Sequence, residues 1–231
     1  MNLAKKIYNL LLDFVFPAFC AGCKVEGTYL CVQCFRKVPR FQKQRCLICQ
    51  KPSPFGKTHA ECSKRKIDGI ISALPYHDKV VKKLIGTFKY QFVDISQTLA
   101  RFILEEIDNQ ELRNFFKDFI IVPVPLHKNR FRWRGFNQSK LIAKILSEHL
   151  EIPTKENIIE RTRYTKPQIE LKHDERKENI KGAFSILEDV AGKNFLIIDD
   201  VVTTGATLNE IAKALKKKKA HSVWAITLAA D

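Results

Sequence analysis

Residues 195–208 constrain the fold of this chain more than any other stretch, and they read Phe195-Leu-Ile-Ile-Asp-Asp-Val-Val-Thr-Thr-Gly-Ala-Thr-Leu208. The apolar run from Phe195 to Ile198 is typical of a strand that is buried on both faces of a parallel sheet. Asp199 and Asp200 follow it directly, and open α/β sheets hold their ligands at this carboxyl edge. The stretch therefore predicts an α/β fold with a ligand site where this strand ends.

A small, hydroxyl-rich turn follows the two acids and opens a helix. The helix carries one apolar face, formed by Leu208, Ile211, Ala212 and Leu215. The unpaired N–H groups and the dipole of a helix N-terminus both favour a phosphate, while neighbouring carboxylates accept hydrogen bonds from vicinal ribose hydroxyls. This arrangement predicts a site for a ribose 5-phosphate. An ordinary strand, acid cap and helix would explain the apolar residues but not the double acid before Thr-Thr-Gly-Ala-Thr.

The whole stretch resembles the 5-phosphoribosyl-1-pyrophosphate (PRPP) signature of type I phosphoribosyltransferases. The resemblance implies that PRPP binds together with Mg²⁺. It also implies that Asp199 and Asp200 are the catalytic residues, which stabilise an oxocarbenium-like state as pyrophosphate leaves. The residues expected to contact PRPP are Asp199, Asp200, Val201, Thr203, Thr204, Gly205, Ala206 and Thr207.

All seven cysteines lie between positions 20 and 62, and six of them form CxxC pairs. A CxxC pair brings two thiolates onto one tight turn, which supplies half of a tetrahedral zinc site. Two such pairs complete a first site, whose expected ligands are Cys20, Cys23, Cys31 and Cys34. The alternative is a secreted module held by disulfides, which requires an export signal.

The remaining cysteines are one ligand short of a second site. Cys46 and Cys49 form the third pair, and His59 stands three residues before Cys62, so that an HxxC motif replaces a CxxC pair. The predicted second site therefore has three cysteines and one histidine. A cross-braced arrangement, in which the first CxxC pair shares a metal with the third, stays open, and we expect one structural zinc or two. Neither site keeps a coordination position open for chemistry.

The N-terminal residues do not read as an export signal, because Asp13 interrupts the apolar run and Phe19 is not a small cleavage-site residue. Apolar residues recur instead at helical spacing from Leu3 to Val15, which predicts an amphipathic helix that ends at Pro17. No apolar stretch is long enough to span a bilayer. We expect a cytoplasmic protein, and a reducing compartment favours metal over disulfides at the cysteines.

Between the cysteines and the PRPP signature, apolar patterns of strand and helix type alternate. Strands are predicted over 67–76, 120–124 and 222–228, and helices over 77–90, 95–107 and 136–150. This order predicts a parallel sheet flanked by helices. We therefore expect a small zinc-ribbon module with the N-terminal helix over residues 1–66, and a phosphoribosyltransferase-like domain over residues 67–231.

A basic segment follows the second predicted strand and precedes Ser139. Its cations suit the charges of a pyrophosphate, and they are His127, Lys128, Arg130, Arg132 and Arg134. We predict a pyrophosphate-binding loop. Phe131, Trp133 and Phe136 interleave with the arginines, so the same loop would also stack the bases of single-stranded DNA. The net charge of +15 favours a polyanionic partner, although solvated surface lysines alone would also explain it.

Taken together, these motifs resemble the ComF/GntX family over nearly the whole chain. The resemblance rests on Phe-Pro-Ala-Phe-Cys-Ala-Gly-Cys at residues 16–23, the CxxC pairs, Val-Pro-Val-Pro-Leu with Arg-Trp-Arg-Gly-Phe-Asn-Gln, and the PRPP signature. His59 is a departure, since relatives usually carry cysteine there. Membership implies a type I phosphoribosyltransferase fold with an N-terminal zinc finger. It also implies a role in natural transformation, where single-stranded DNA is handled on the cytoplasmic side beside other competence proteins at the inner face of the membrane.

These motifs are compatible with two functions, one enzymatic and one non-catalytic. The first is a transferase, in which a nucleophile attacks the anomeric carbon of Mg²⁺-bound PRPP and pyrophosphate leaves. The second is a non-catalytic accessory module that senses PRPP or binds DNA. The segment between Arg161 and Phe184 shows no recognisable site for an acceptor base, so the acceptor and the occurrence of turnover stay open.

Overall fold

The computed structural model of the chain describes residues 17–62, 67–90, 95–163 and 178–231. Its strands are β1 (Gly69–Pro75), β2 (Phe119–Pro123), β3 (Ile159–Arg161), β4 (Phe184–Ile186), β5 (Asn194–Val202) and β6 (Ser222–Ala230). Among its helices are α1 (Val32–Lys37), α2 (Lys79–Tyr90), α3 (Ile95–Asn109), α4 (Arg113–Phe116), α5 (Lys128–Arg134), α6 (Gln138–Leu150) and α7 (Ala206–Lys217). Two 3₁₀ turns, Pro54–Gly56 and Ala60–Cys62, lie in the cysteine-bearing segment.

Four strands form a parallel sheet in the order β1-β6-β5-β2. β1 is buried along its whole length, and β5 and β6 are buried where they run through the centre of the sheet. Such continuous burial is typical of a parallel sheet that is covered on both faces. β3 and β4 pair antiparallel as a separate two-stranded hairpin. The predicted parallel sheet flanked by helices is therefore present.

Helices cover both faces of the sheet. α2, α3 and α6 pack on one face, where Phe88 and Phe102 share a core with Leu196 of β5. α7 and the β3–β4 hairpin lie on the other face, where Ile211 shares a second core with Ile197. Neighbouring residues of β5 thus point into opposite cores, as the two-residue period of a strand requires.

The cysteine-bearing segment covers the edge of β1. The Phe41 N–H donates to the Ala73 carbonyl at 2.9 Å. The Gln44 side-chain amide donates to the Ser72 carbonyl at 2.9 Å and accepts from the Ser72 N–H at 3.0 Å. Because these bonds occupy backbone groups of an edge strand, they protect the edge from pairing with other chains. Buried Gln44 also donates to Glu106 of α3 at 2.9 Å, which ties the segment to the helices as well.

β5 is longer than the sequence predicts. Its pairing with β2 ends at Ile198, but its pairing with β6 continues to Val202. Asp199 and Asp200 therefore lie within the strand and not after it. The two carboxylates stand where the short strand β2 stops and the longer β6 continues. The length of the neighbouring strand β6 determines where β5 ends. The local apolar pattern of β5 carries no information about that length.

The basic segment forms helix α5 where the sequence predicts a loop. The His127 ring caps the start of this helix by accepting from the Asn129 N–H at 3.2 Å. Gly135 ends it in the left-handed conformation, with a φ of 77° and a bond from its N–H to the Phe131 carbonyl at 2.8 Å. Gly135 therefore serves as a helix terminus. Neither cap was predicted, because the cations of this segment indicated ligand binding and the next predicted helix begins only at residue 136.

Residues 1–16, which carry the predicted amphipathic helix, lie outside the described residues. Within the four described ranges, no helix combines the length and the apolar character that a membrane crossing needs. The predicted domain boundary between residues 66 and 67 falls at the end of segment 63–66, which is also outside the described residues, and it stays a prediction.

Candidate functional site

Two acidic side chains mark the carboxyl edge of the sheet, and each has a polar partner from a helix. The Ser139 hydroxyl, in the first turn of α6, donates to Asp199 Oδ1 at 3.2 Å. The Lys89 ammonium, near the end of α2, lies 3.2 Å from Asp200 Oδ2. No sequence motif indicated a role for Lys89 or Ser139 at this site. Only the packing of α2 and α6 on the same face of the sheet brings these side chains to β5.

Burial and the neighbouring charge of Asp200 raise the pKa of Asp199 to about 7. The Asp200 N–H, the Ser139 hydroxyl and the Lys89 ammonium act in the opposite direction, because each of them stabilises the carboxylate. Their combined effect is smaller than that of burial and the Asp200 charge. Asp199 therefore changes its protonation near neutral pH, which is a property of many functional carboxyl groups.

The hydroxyl-rich turn joins β5 to α7. Gly205 is the N-cap of α7 and has a φ of 69°, in the left-handed region that favours glycine. The Thr204 hydroxyl accepts from the Ala206 N–H at 3.4 Å. α7 is 12 residues long, so its N-terminus carries a helix dipole that favours a phosphate. The predicted PRPP-binding residues, 199–201 and 203–207, thus form one continuous strand-turn-helix unit.

Hydrogen bonds connect the basic helix α5 to the acidic pair. The Arg134 guanidinium donates to Gln138 Oε1 at 3.3 Å, and the Gln138 amide donates to the Lys89 carbonyl at 3.2 Å. Since the Lys89 ammonium contacts Asp200, a chain of contacts runs from the end of α5 to the carboxylates. The structure therefore places one predicted pyrophosphate cation, Arg134, on the side of the site that Lys89 occupies.

A cavity of about 350 Å³ opens beside α5 and adjoins the end of β2. Lys128, Phe131 and Arg132 line it, and their spacing puts them on one face of the helix. The ion pair between Lys140 and Glu156, at 2.5 Å, also lines the cavity. Two of the predicted cations thus line a concave surface that is large enough for a small polar ligand.

Two of the three aromatic residues predicted to stack bases are exposed. Phe131 is 49 % exposed and Trp133 is 69 % exposed. Phe136 is half-buried and packs on Phe88 of α2, with the ring centroids 6.2 Å apart, so its stacking role stays a prediction. The remaining cation of the helix, Arg130, is half-buried. The exposed surface of α5 thus combines cations with aromatic faces, which is the combination that single-stranded nucleic acid binds.

The first four cysteines come together in the structure. The sulfur atoms of Cys20, Cys23, Cys31 and Cys34 all lie within 4.8 Å of one another. The Cys23 and Cys31 sulfurs are 3.7 Å apart, close to the edge of about 3.8 Å that a tetrahedron with Zn–S bonds of about 2.3 Å has. A Cβ on Gly22 would lie 2.6 Å from Cys34 Sγ, so the close approach of this ligand requires the glycine.

The second set consists of Cys46, Cys49, His59 and Cys62, whose ligand atoms also lie within 4.8 Å of one another. Cys49 Sγ is 3.2 Å from His59 Nδ1. The ligands are therefore grouped in sequential order, and the cross-braced alternative does not match the structure. Each of the seven cysteines is a free thiol. Three sulfur atoms and one ring nitrogen form a ligand set typical of structural zinc.

In each set one thiol ionises readily and another resists ionisation. Burial raises the pKa of Cys46, but the backbone N–H groups of Cys49, His59 and Ile48 outweigh burial and lower the pKa to about 7. In the first set, the hydrogen bond with Cys31, burial and the charge of Cys20 raise the pKa of Cys34 to about 12. A divalent cation would remove this repulsion and hold all the thiolates in its coordination shell. Both donor sets therefore fit zinc.

Two family descriptions match the chain. A double zinc ribbon domain matches residues 11–63, which contain all eight residues of the two candidate metal-binding sets. A phosphoribosyl transferase domain matches residues 137–231, which contain the acidic pair and the turn. The predicted fold class is confirmed: the chain has a type I phosphoribosyltransferase-like parallel sheet with helices and an N-terminal double zinc ribbon.

Relatives align over most of the chain. Competence protein F of Haemophilus influenzae is 32% identical over 219 residues, which cover 91% of this chain and 90% of the relative. DNA utilization protein YhgH of Salmonella typhimurium is 33% identical over 207 residues, which cover 88% of this chain and 85% of the relative. Competence protein ComFC of Bacillus subtilis is 29% identical over 228 residues, which cover 86% of this chain and 83% of the relative.

Proposed function

The chain belongs to the ComF family of competence proteins, and from this membership we propose that it binds PRPP and handles single-stranded DNA in the cytoplasm during DNA uptake. The names of its relatives refer to competence and to DNA utilization. One observation carries the PRPP part of the proposal. The Asp199–Asp200 pair, with Ser139 and Lys89 as its partners, stands directly before a glycine-containing turn that opens a helix.

Each part of PRPP has a matching group in this site. The carboxylates of Asp199 and Asp200 accept hydrogen bonds from two ribose hydroxyls, and the turn over residues 203–207 binds the 5-phosphate. The pyrophosphate lies toward Lys89 and Arg134, whose charges it neutralises. PRPP binds as its Mg²⁺ complex, in which the metal supplies further neutralisation of the leaving group.

The reaction that fits these groups is a phosphoribosyl transfer. The bond between the anomeric carbon and the pyrophosphate oxygen breaks, the electron pair leaves with the pyrophosphate, and a lone pair of the acceptor forms the new bond. The carboxylates stabilise the positive charge that develops on the ribose ring. The leaving pyrophosphate is stabilised by the cations of α5, which are Lys128, Arg130, Arg132 and Arg134.

The outer surface of α5 supports the DNA part of the proposal. Trp133 and Phe131 are exposed beside Lys128 and Arg132. Aromatic rings stack on bases of any sequence, and cations contact the phosphates that connect them. Because α5 also leads to the acidic pair through Arg134, DNA and PRPP would bind on adjoining surfaces. Other competence proteins at the inner face of the membrane would deliver the strand.

Titration calorimetry with Mg²⁺ and PRPP tests the site. We expect the double substitution Asp199→Ala and Asp200→Ala to abolish binding, whereas Asp118→Ala, which removes an exposed acid, leaves the affinity unchanged. Wild-type affinity in the double variant would refute the site.

Pyrophosphate release measured across a panel of nucleobases and nucleotides then separates the two classes of function. Release that depends on one acceptor indicates a transferase, and binding without release indicates a PRPP-sensing module.

A further inference from the structure

Leu47 lies between two ligands of the second cysteine set, here called the second metal centre, and packs directly against the turn over residues 203–207, here called the phosphate turn. A Cβ placed on Gly205 would lie 2.5, 2.7 and 2.8 Å from three side-chain carbons of Leu47. Carbon atoms in contact stand about 3.5–4.0 Å apart, so only a glycine allows the leucine to lie this close to the backbone. Leu47 is 6 % exposed and shares its core with Val202 and Ala206, which flank the turn.

The metal ligands determine where Leu47 lies. It follows Cys46 directly and precedes Cys49 by two residues, so two of the four ligands hold its backbone on both sides. The Gln50 amide donates to the Leu47 carbonyl at 3.0 Å, and the Cys46 N–H donates to the Lys51 carbonyl at 3.0 Å. These bonds close the turn over residues 46–51, here called the knuckle. The closed knuckle fixes the backbone of Leu47 beside Gly205, and a bound metal would keep the knuckle closed.

We propose that Leu47 is a positioning residue for the phosphate turn. The metal-bound knuckle holds Leu47 against Gly205 and thereby orders residues 203–207 before the phosphate arrives. Glycine loses more conformational freedom on ordering than any other residue, so a contact that orders the turn in advance raises its affinity for a ligand. The second metal centre would thus act on PRPP binding through one side chain, without contacting PRPP. Only this last part rests on the proposed PRPP function.

Hydrogen–deuterium exchange of the full-length protein, without any ligand, tests the ordering. We expect Leu47→Ala to accelerate exchange of the amides at 203–208 by about tenfold, with the zinc content unchanged. Leu47→Met, which conserves volume, should restore slow exchange. The matched control is Leu30→Ala, because Leu30 is a leucine of similar burial, 7 % exposed, beside the first metal centre. This control should leave exchange at the turn unchanged.

Two further measurements separate positioning from mere packing. His59→Ala removes a ligand of the second metal without substituting Leu47, and we expect it to loosen the knuckle and accelerate exchange at the turn as well. Calorimetry should show PRPP binding about five- to twentyfold weaker in Leu47→Ala. Slow exchange in Leu47→Ala, or equal acceleration by Leu30→Ala, would overturn the inference. If the wild-type protein does not bind PRPP, the proposed function fails, while the exchange rates still decide the positioning role.

Discussion

The ammonium of Lys89 lies 3.2 Å from a carboxylate oxygen of Asp200, and the two side chains are only 20% and 17% exposed. One residue comes from the end of α2 and the other from β5, so the contact joins two elements that are distant in the chain. The partly buried pair holds a positive charge at the carboxyl edge of the sheet. Under the proposed function, a pyrophosphate group that enters the site would meet this charge already in place.

Replacing Lys89 tests this role. We expect Lys89→Gln to weaken PRPP binding by about 1.5–3 kcal/mol, since one charge-assisted contact to the ligand is lost and Asp200 is left without its partner. Lys82→Gln is the matched control, because Lys82 is an exposed lysine of the same helix. Calorimetry in the presence of Mg²⁺ measures both. Equal affinities for the two variants would show that Lys89 serves only the folded structure.

The raised pKa of Asp199 makes stability depend on pH. The pKa is about 7 in the folded protein and 3.8 in its ordinary state, so between these values the folded chain holds a proton that the unfolded chain has released. Stability from this group is therefore present at low pH and is lost as pH rises through about 7. We expect Asp199→Asn, which cannot ionise, to gain stability relative to the wild type as pH rises from 4 to about 8.

Urea unfolding at several pH values measures this difference. Asp118→Asn serves as the control, because Asp118 is exposed on the surface, and its difference from the wild type should not change with pH. The free energy of unfolding of Asp199→Asn relative to the wild type could instead stay constant from pH 4 to about 8. That result would mean that Asp199 ionises equally well in the folded and unfolded states.

Gly22 provides a test of the first metal centre in which no ligand residue is itself substituted. A methyl group at this position would lie 2.6 Å from Cys34 Sγ, so Gly22→Ala has to displace a ligand. We expect the zinc content to fall from two ions per chain to one, because the second centre has separate ligands. Gly86→Ala is the control, since a Cβ at Gly86 meets open space. Two zinc ions in Gly22→Ala, by elemental analysis, would contradict the assigned geometry.

The sequence predicts the parts of this structure that depend on local pattern. The apolar run of β5, the acids that follow it and the paired cysteine spacings are all periodic or contiguous signals, and the structure contains each of them. The contacts that complete the site depend on tertiary packing and not on local pattern. Lys89, Ser139 and Leu47 reach the strand or the turn only because separate elements pack together. No local pattern specifies such packing, so these residues could not be found before the fold was known.

The same distinction applies to α5. The alternation of arginines and aromatic rings predicts a surface for single-stranded DNA, but the contact of half-buried Phe136 with Phe88 becomes visible only in the fold. Trp133 and Arg132 stay exposed. These two residues are therefore the positions at which stacking and charge can be separated by experiment.

DNA binding should respond differently to the loss of stacking and the loss of charge. We expect Trp133→Ala to weaken binding of a labelled single-stranded oligonucleotide by about 1–3 kcal/mol with little change in salt dependence, because stacking releases no counterions. Arg132→Ala should weaken binding and also reduce the slope of log affinity against log salt by about 0.7, the value for one phosphate contact on a single strand. Fluorescence anisotropy at two salt concentrations measures both quantities.

Two control variants complete this experiment. Leu187→Ala removes an exposed apolar side chain that lies outside α5, and Lys217→Ala removes one positive charge from the last turn of α7. Leu187→Ala should lower the affinity for DNA less than Trp133→Ala does. Lys217→Ala should change the affinity and the salt slope less than Arg132→Ala does. If Lys217→Ala matched Arg132→Ala in both measurements, DNA would be held by net charge alone. Absence of binding at low salt would show that the charge of +15 is only a solvated surface.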